Sequence, residues 1–594
     1  MDYLGLNLVK SVFDKGTAIE EILHGFAGDE LKGSASRQAL IAELITKGQQ
    51  FLQAGDLAQA DILYRRVLQL APRNVDALHL LGVIAHRSGK LSLAIDLISQ
   101  AIKQNSSIAS FHLNLGNVFK ELERPEEAVT CYQAALRINP NYTKAHNNLG
   151  VIFRDQQKFE QALACFQNAL QIDPDYVEAY LNLGTAFQLQ GKLDQAAESL
   201  LQALQLKPDN APAYFNLGNI FGAQNKAYEA ITCFQNALRL NPSDALTYYN
   251  LANILNQIGK QADAIVLHRE ALRLKPDFVA AHNNLSLALL SAHDYSEGWH
   301  EYEWRWKAKD SPPLKRDFPQ PWWQGEDLTG KTILVWAEQG LGDEILFANM
   351  LPDLLNQSCH CVIECNSRLV PLLARSFPAA EVVPSSNPPH PRTLQSDVAF
   401  QIPMGSLGRQ FRHSLDSFPA HRGYLLPDPQ RIAHWRNHLA ALGNERKIGI
   451  CWRSMLQTAN RDFHYSTLEQ YGPFLTVPGV IFVNLQYDEC RAELAAAEQQ
   501  FGVKIHVCEE IDLKNDLDEA AALTAALDLV ISAPTAVAAM AGALGVPVWR
   551  LSMGSTQGTG HIPWYPSMRL FLRAWDESWQ RVIEAIAHDL RNTH

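Results

Sequence analysis

Cysteine is scarce in this chain. Nine residues in 594 are too few and too scattered for the disulfide framework that holds small secreted domains together. Basic charge is also in deficit: 51 Lys+Arg stand against 63 Asp+Glu, a net charge of −12. The chain as a whole therefore has no electrostatic pull toward nucleic acid or an anionic membrane. Its first residues lack a basic segment followed by a long apolar run, which argues against a secretory signal and for a reducing, cytoplasmic setting. One stretch, 529–549, is uncharged, but Pro534, Gly542, Gly545 and Pro547 break it into strand, turn, short helix and strand, so no membrane span is expected. The G-L-G at 340–342 lacks the rest of a dinucleotide fingerprint. With 47% hydrophobic and 19% charged residues, the chain has the composition of folded, globular protein.

What is present is a period. Pro72, Pro140, Pro174, Pro208, Pro242 and Pro276 lie on a 34-residue grid, with Ser106 in the missing slot. Gly82, Gly116, Gly150, Gly184 and Gly218 share the grid, as do alanines from Ala60 to Ala264. This pattern over 41–308 resembles the tetratricopeptide repeat (TPR), two antiparallel helices per unit stacked into a superhelix with a concave binding face. Cys131, Cys165 and Cys233 fall on the same grid and read as small buried helix residues. A further column, Asn114, Asn148, Asn182, Asn216, Asn250 and Asn284, precedes the L-G, L-A or L-S pairs. Side-chain amides offer both donor and acceptor. Packed helices about 8–10 Å apart would meet an extended chain, rising about 3.3 Å per residue, at every third residue or so. The column is therefore a candidate ladder for a polypeptide backbone, as in the protein O-GlcNAc transferases; the plainer reading is that Asn is common at this repeat position. On the ladder reading, replacing its amides by Ala should leave the repeat packing intact.

Residues 1–40 read as an N-terminal helical cap and 309–330 as a Trp/Pro-rich linker. Trp299, Trp304, Trp306, Trp322 and Trp323 read as glue between the repeats and the C-terminal half of the chain, the alternative being rings that stack on a ligand. From 331 the pattern changes to apolar, β-rich runs at 332–337, 361–365, 447–452, 480–486, 529–532 and 546–551, with helical patterns between several of them. That alternation predicts parallel sheets and two Rossmann-like domains, 331–440 and 445–594. Cys359, His360, Cys361 and Cys365 lack a second ligand cluster, and no metal is expected there.

LGDEILFANMLPDLL (341–355) resembles the helix-opening motif of the ADP-heptose heptosyltransferase family. DLDEAAALTAALDLVISAPTAVAAMAGALGVPVW (516–549) resembles that family's donor-site segment. WRS (452–454), RDFHY (461–465) and VNLQY (483–487) are similar to TPR-linked bacterial glycosyltransferases, some of which modify flagellin with nonulosonic acids. The resemblance implies an all-α TPR superhelix followed by an α/β GT-B pair of Rossmann-like domains. It also implies a nucleotide-sugar substrate, a polypeptide acceptor and no metal cofactor. It makes Asp343 the base that deprotonates the acceptor, with Glu338 and Glu344 as substitutes; the alternative for Asp343 is a helix cap stabilised by the dipole. Gly340 and Gly342 are expected to permit a tight turn. Arg453 and Arg461 have the chemistry to grip phosphate, and Thr535 with Ala536 opens a helix that can hold an anion. Ser454, Tyr465, Gln486 and Ser532 complete the expected donor site, Gln486 either as a reader of the nucleobase or as a structural end-of-strand amide. Two departures stand out: Pro534 and Ala539 occupy positions where the family carries Asp and His. The expected function is protein O-glycosyl transfer, and the alternative is a non-catalytic TPR adaptor with a degenerate transferase domain.

Overall fold

The computed structural model describes residues 34–308, 316–455, 465–554 and 560–592. It divides into two compact units, Met1–Gln224 and Asn225–His594.

In the first unit, paired helices follow one another from Ser34–Gln53 to Ala211–Ala223. Among the described residues the first helix begins at Ser34, within the segment expected as an N-terminal helical cap, the rest of which, 1–33, lies outside the described residues. The repeat grid has a packing cause. A Cβ on Gly116 would lie 2.6 Å from the Tyr132 ring, and one on Gly150 would lie 2.6 Å from Phe166. Glycine in the first helix thus makes room for a large side chain in the second. The grid alanines Ala94, Ala128, Ala162 and Ala196 have 0% exposure, so each sits where any larger residue would separate the pair. Pro140 follows the C-cap Asn139 of helix Pro125–Ile138, where a ring that cannot continue a helix does no harm. Cys131 and Cys165 are buried.

In the second unit, repeat helices continue from Ala227–Leu240 to Val279–Ser291, followed by Tyr295–Tyr302 and a 3₁₀ turn Glu303–Lys307. Here the tryptophans join repeat to sheet. Trp299 is buried and its Nε1 donates to the Arg412 carbonyl at 2.8 Å. Trp304 stacks on His282 at 3.6 Å, and Trp306 meets Trp322 and Trp336 edge-on or tilted.

Beyond them lie two sheets. Strands β1 (Thr332–Trp336), β2 (His360–Cys365), β3 (Ala380–Pro384) and β4 (Val398–Pro403) form a four-stranded parallel sheet in the order β3-β2-β1-β4. Strands β5 (Arg446–Cys451), β6 (Val480–Asn484), β7 (Ile505–His506), β8 (Leu529–Ser532), β9 (Val548–Met553), β10 (His561–Ile562) and β11 (Tyr565–Arg573) form the second, in the order β10-β11-β9-β8-β5-β6-β7. Only the β10–β11 pair is antiparallel. In each sheet the chain winds outward, returns, and continues on the other side. The reversal falls between β1 and β4 in one sheet and between β5 and β8 in the other. Ligands of open parallel sheets bind beyond the carboxyl ends of the strands at such a reversal. β1 and β2 are buried almost throughout, as strands covered on both faces must be. Cys361 and Cys365 are buried in β2 and belong to this core.

Candidate functional site

A cavity of about 730 Å³ opens at the carboxyl ends of these strands. Gly340–Asp343 reach it from β1, Ser454 and Met455 from β5, Tyr487 from beyond β6, and Pro534–Val537 from β8. Arg368, Tyr465, Lys514, Arg550 and Tyr565 complete the polar wall. Helix Leu341–Phe347 packs against helix Ala536–Ala543, and a Cβ on Gly342 would come within 3.9 Å of the Ala536 Cα.

The expected site residues divide into those the cavity collects and those it does not. Gly340, Gly342, Asp343, Ser454, Tyr465, Thr535 and Ala536 line it. The glycines are not there for backbone freedom. Gly340 has φ −76°, neither is among the glycines of positive φ, and a Cβ on either would meet nothing closer than 3.7 Å. Their contribution is an absent side chain at the cavity wall. Thr535 sits at the N-cap of Ala536–Ala543 without a side-chain cap bond. Its hydroxyl instead lies 3.2 Å from the Ser532 Oγ. That leaves the first turn of the helix, which lines the cavity, without a side-chain cap.

Arg453, Gln486 and Ser532 lie outside the cavity wall. The Arg453 guanidinium is ion-paired with Asp488 and Glu493, so its charge is already committed. Gln486 is buried and all its valences are used. Its Oε1 accepts from the Trp452 and Arg453 N–H groups at 3.2 and 3.3 Å, and its Nε2 donates to the Arg453 carbonyl and to Asp488. It holds the turn after β5 and does not reach a base. Ser532 has no exposure and donates to the Ala533 carbonyl at 2.8 Å. Arg461 lies outside the described residues.

Both substitute bases are committed elsewhere. Glu338 accepts both Arg305 Nε and Nη2, at 2.7 and 2.9 Å, together with the Gly405 N–H at 2.7 Å. Glu344 is buried, is absent from the cavity wall and accepts the Asn366 N–H at 2.8 Å. Burial lifts its carboxyl to about 7. A raised carboxyl pKa means that the folded state resists ionisation. Stability is therefore lost as pH rises from the ordinary carboxylate range through 7. Glu344→Gln should melt like the parent near pH 4 and above it near pH 8, by up to about 3 kcal/mol at 1.4 kcal/mol per pKa unit. A melting difference that does not grow with pH would contradict this.

Three cations were not foreseen. Arg368 follows β2 and donates to the Asn366 Oδ1 and the Lys514 carbonyl. Lys514 comes from the loop before helix Leu517–Ala525. Arg550 lies inside β9, with its Nε on the Ser552 hydroxyl at 2.9 Å. Burial pulls it down to about 10, still charged at neutral pH. Among the described residues no carboxylate forms an ion pair with it. The signal was available: a lone charge within the apolar run VPVWRL of a central strand is costly unless something compensates it.

Asp343 borders a second cavity as well, of about 380 Å³, whose far wall is helix Val279–Ser291 through Asn283, Ser286, Leu287 and Leu290. One carboxylate thus faces the larger, cation-lined cavity on one side and a repeat helix on the other.

The asparagine column is half-exposed throughout, but most of its amides bond sideways. Asn114 donates to His79 Nε2 at 2.8 Å, Asn148 to Asn117, Asn182 to Asn147 and Asn284 to Asn253. His79 is held down to about 4 by burial and accepts as a neutral ring. These bonds link successive repeats, so the expectation that Ala is harmless here is corrected. Asn182→Ala strands the buried Asn147 oxygen and should cost about 1–3 kcal/mol. Denaturant unfolding of that variant at wild-type stability would refute it.

The comparisons agree with the helical part. A tetratricopeptide-repeat model matches residues 45–107. A model described as the cilia and flagella-associated protein 70 C-terminal domain matches 109–310. Protein FlbA of Caulobacter vibrioides is 36% identical over 329 residues, 51% of this chain and 54% of FlbA. The chain thus spans about half the length of that curated relative. Among solved structures, Pseudomonas aeruginosa pilF is 20% identical with a TM-score of 0.33, covering 36% of this chain and 97% of its own. A repeat protein of Parabacteroides merdae is 21% identical with a TM-score of 0.35, covering 42% and 98%. Among the described residues no helix is long and apolar enough to cross a membrane. The 34-residue period, the paired helices and the family match together show that the helical part of this chain is built of tetratricopeptide repeats.

Proposed function

We propose that the chain is a GT-B glycosyltransferase that moves a sugar from a nucleotide donor to a polypeptide presented by the repeats. The observation that carries this reading is the cavity, at the carboxyl ends of parallel strands of both sheets, lined by one carboxylate and by Arg368, Lys514 and Arg550. In the proposed reaction Asp343 takes the proton of an acceptor hydroxyl. The oxygen attacks the anomeric carbon, and the bond from that carbon to the phosphate oxygen breaks. The three cations and the N-terminus of Ala536–Ala543 receive the charge on the departing nucleotide. The second cavity supports an acceptor arriving from the repeat side. The likeness to flagellin-modifying enzymes makes flagellin and a nonulosonic acid the first acceptor and sugar to try.

A second reading, a non-catalytic adaptor, is favoured by Pro534 and Ala539, both of which line the cavity in place of the family's Asp and His. A calorimetric screen of CMP-, UDP-, GDP- and ADP-sugars, followed by transfer of label from the bound donor, separates the two. Saturable binding with transfer or slow hydrolysis supports the enzyme. Binding of none, or binding without turnover toward any acceptor or water, supports the adaptor.

A further inference from the structure

Away from the cavity, three side chains with metal-binding atoms meet at the edge of the seven-stranded sheet. His438 lies in the last turn of helix Pro429–Ala440, His506 ends β7, and Cys508 stands two residues further on. Alternate residues of extended chain face the same side, which brings His506 and Cys508 together against the helix. One ligand atom from each of the three lies within 4.8 Å of the others. No other such group occurs among the described residues.

The geometry is specific. The two histidine Nε2 atoms are 3.3 Å apart. Two neutral rings tolerate this only when one Nε2 carries a proton and the other does not. An ion removes that restriction. Nitrogens about 2.0–2.1 Å from a tetrahedral zinc are separated by about 3.3 Å along the edge of the tetrahedron. The observed distance therefore already matches a ligated pair, and the thiol sulfur lies within 4.8 Å of both nitrogen ligands. A further feature points the same way. The outward Nδ1 of His438 lies 4.0 Å from the Glu510 carboxylate. A metal-bound histidine characteristically gives its other N–H to a carboxylate, and this pair would need to close by about 1 Å to make that bond.

We propose that His438, His506 and Cys508 bind a zinc-class divalent ion, with water in the fourth position and Glu510 orienting His438. None of the three lines the donor-site cavity, so the ion is a staple and not part of the transfer chemistry. It has something to hold. β7 is two residues long and pairs with β6 only through Phe482↔Ile505 and Val483↔His506. The ion would tie this short edge to the helix that precedes β5.

The test uses the full chain without a polyhistidine tag. Wild type purified from zinc-containing medium should hold about one zinc per chain by elemental analysis. After chelation, cobalt(II) should restore a visible thiolate-to-metal charge-transfer band. His506→Ala and Cys508→Ser should each lose the metal, and with it the rise in melting temperature that zinc gives wild type. Glu510→Ala should bind about 10- to 100-fold more weakly. His438→Gln provides a second ligand variant should Cys508→Ser fold poorly. Wild type that retains no zinc, with no charge-transfer band from cobalt, would overturn the site; so would full zinc retention by the ligand variants.

Discussion

Asp343→Asn is expected to leave the fold and donor affinity intact and to cut transfer by about 10²-fold or more, the usual contribution of a general base. The replacement keeps size and shape in the first turn of helix Leu341–Phe347, where Asp343 sits half-buried. The expectation is sharpened by its neighbours. Glu338 is fixed between Arg305 and the Gly405 N–H, and Glu344 serves the Asn366 N–H outside the cavity. Neither is placed to stand in for the lost carboxylate. Asp343 alone of these three borders both the larger cavity and the one walled by helix Val279–Ser291. The helix dipole lowers the basicity of a first-turn carboxylate, but its position bordering both cavities is what a base in the proposed reaction needs. Single-turnover transfer to a protein acceptor, with donor affinity measured separately, is the check. Transfer within about threefold of wild type, against the 10² expected, returns Asp343 to a helix cap.

The repeats were legible because their cause is local and repeated: a glycine facing a bulky residue sixteen positions later, an alanine at the closest approach, a proline past the helix end. β1, β2, β5, β6, β8 and β9 were legible as apolar runs. β3, AEVVP, was not, because an edge strand with an exposed Glu381 lacks the continuous apolar signal of a covered one. β11, YPSMRLFLR, has alternation diluted by Pro566 and two arginines. In the site, the segments that resemble the glycosyltransferase motifs bring Asp343, Ser454 and Thr535 to one cavity. What sequence position could not supply was the competition for each side chain. Arg453 leaves β5 at the right place, yet Asp488 and Glu493, 35 and 40 residues later, claim its guanidinium. Gln486 is likewise taken by backbone. The asparagine column is legible as one face of the repeats, but spacing alone does not show that most of its amides bond the neighbouring repeat.

Arg550→Gln is expected to weaken nucleotide and nucleotide-sugar binding alike, by about 10- to 150-fold, from the roughly 1.5–3 kcal/mol of a hydrogen bond to a charged group. The cation is partly buried in β9 on the cavity wall, pulled to about 10 by desolvation, with a serine hydroxyl as its hydrogen-bond partner and no carboxylate ion pair among the described residues. A guanidinium so placed destabilises the empty protein, because its desolvation goes uncompensated until an anion arrives. The substitution should therefore leave the melting temperature unchanged or raise it while affinity falls, a combination that unfolding cannot imitate. Arg453→Gln should do the reverse. It leaves Asp488 and Glu493 facing each other without their shared cation, so stability should drop while nucleotide affinity holds. Calorimetry and thermal melts on both variants distinguish the two arginines. Undiminished nucleotide affinity in Arg550→Gln would remove the buried cation from the donor site, and loss of affinity in Arg453→Gln at unchanged stability would restore the arginine that its strand-end position first suggested.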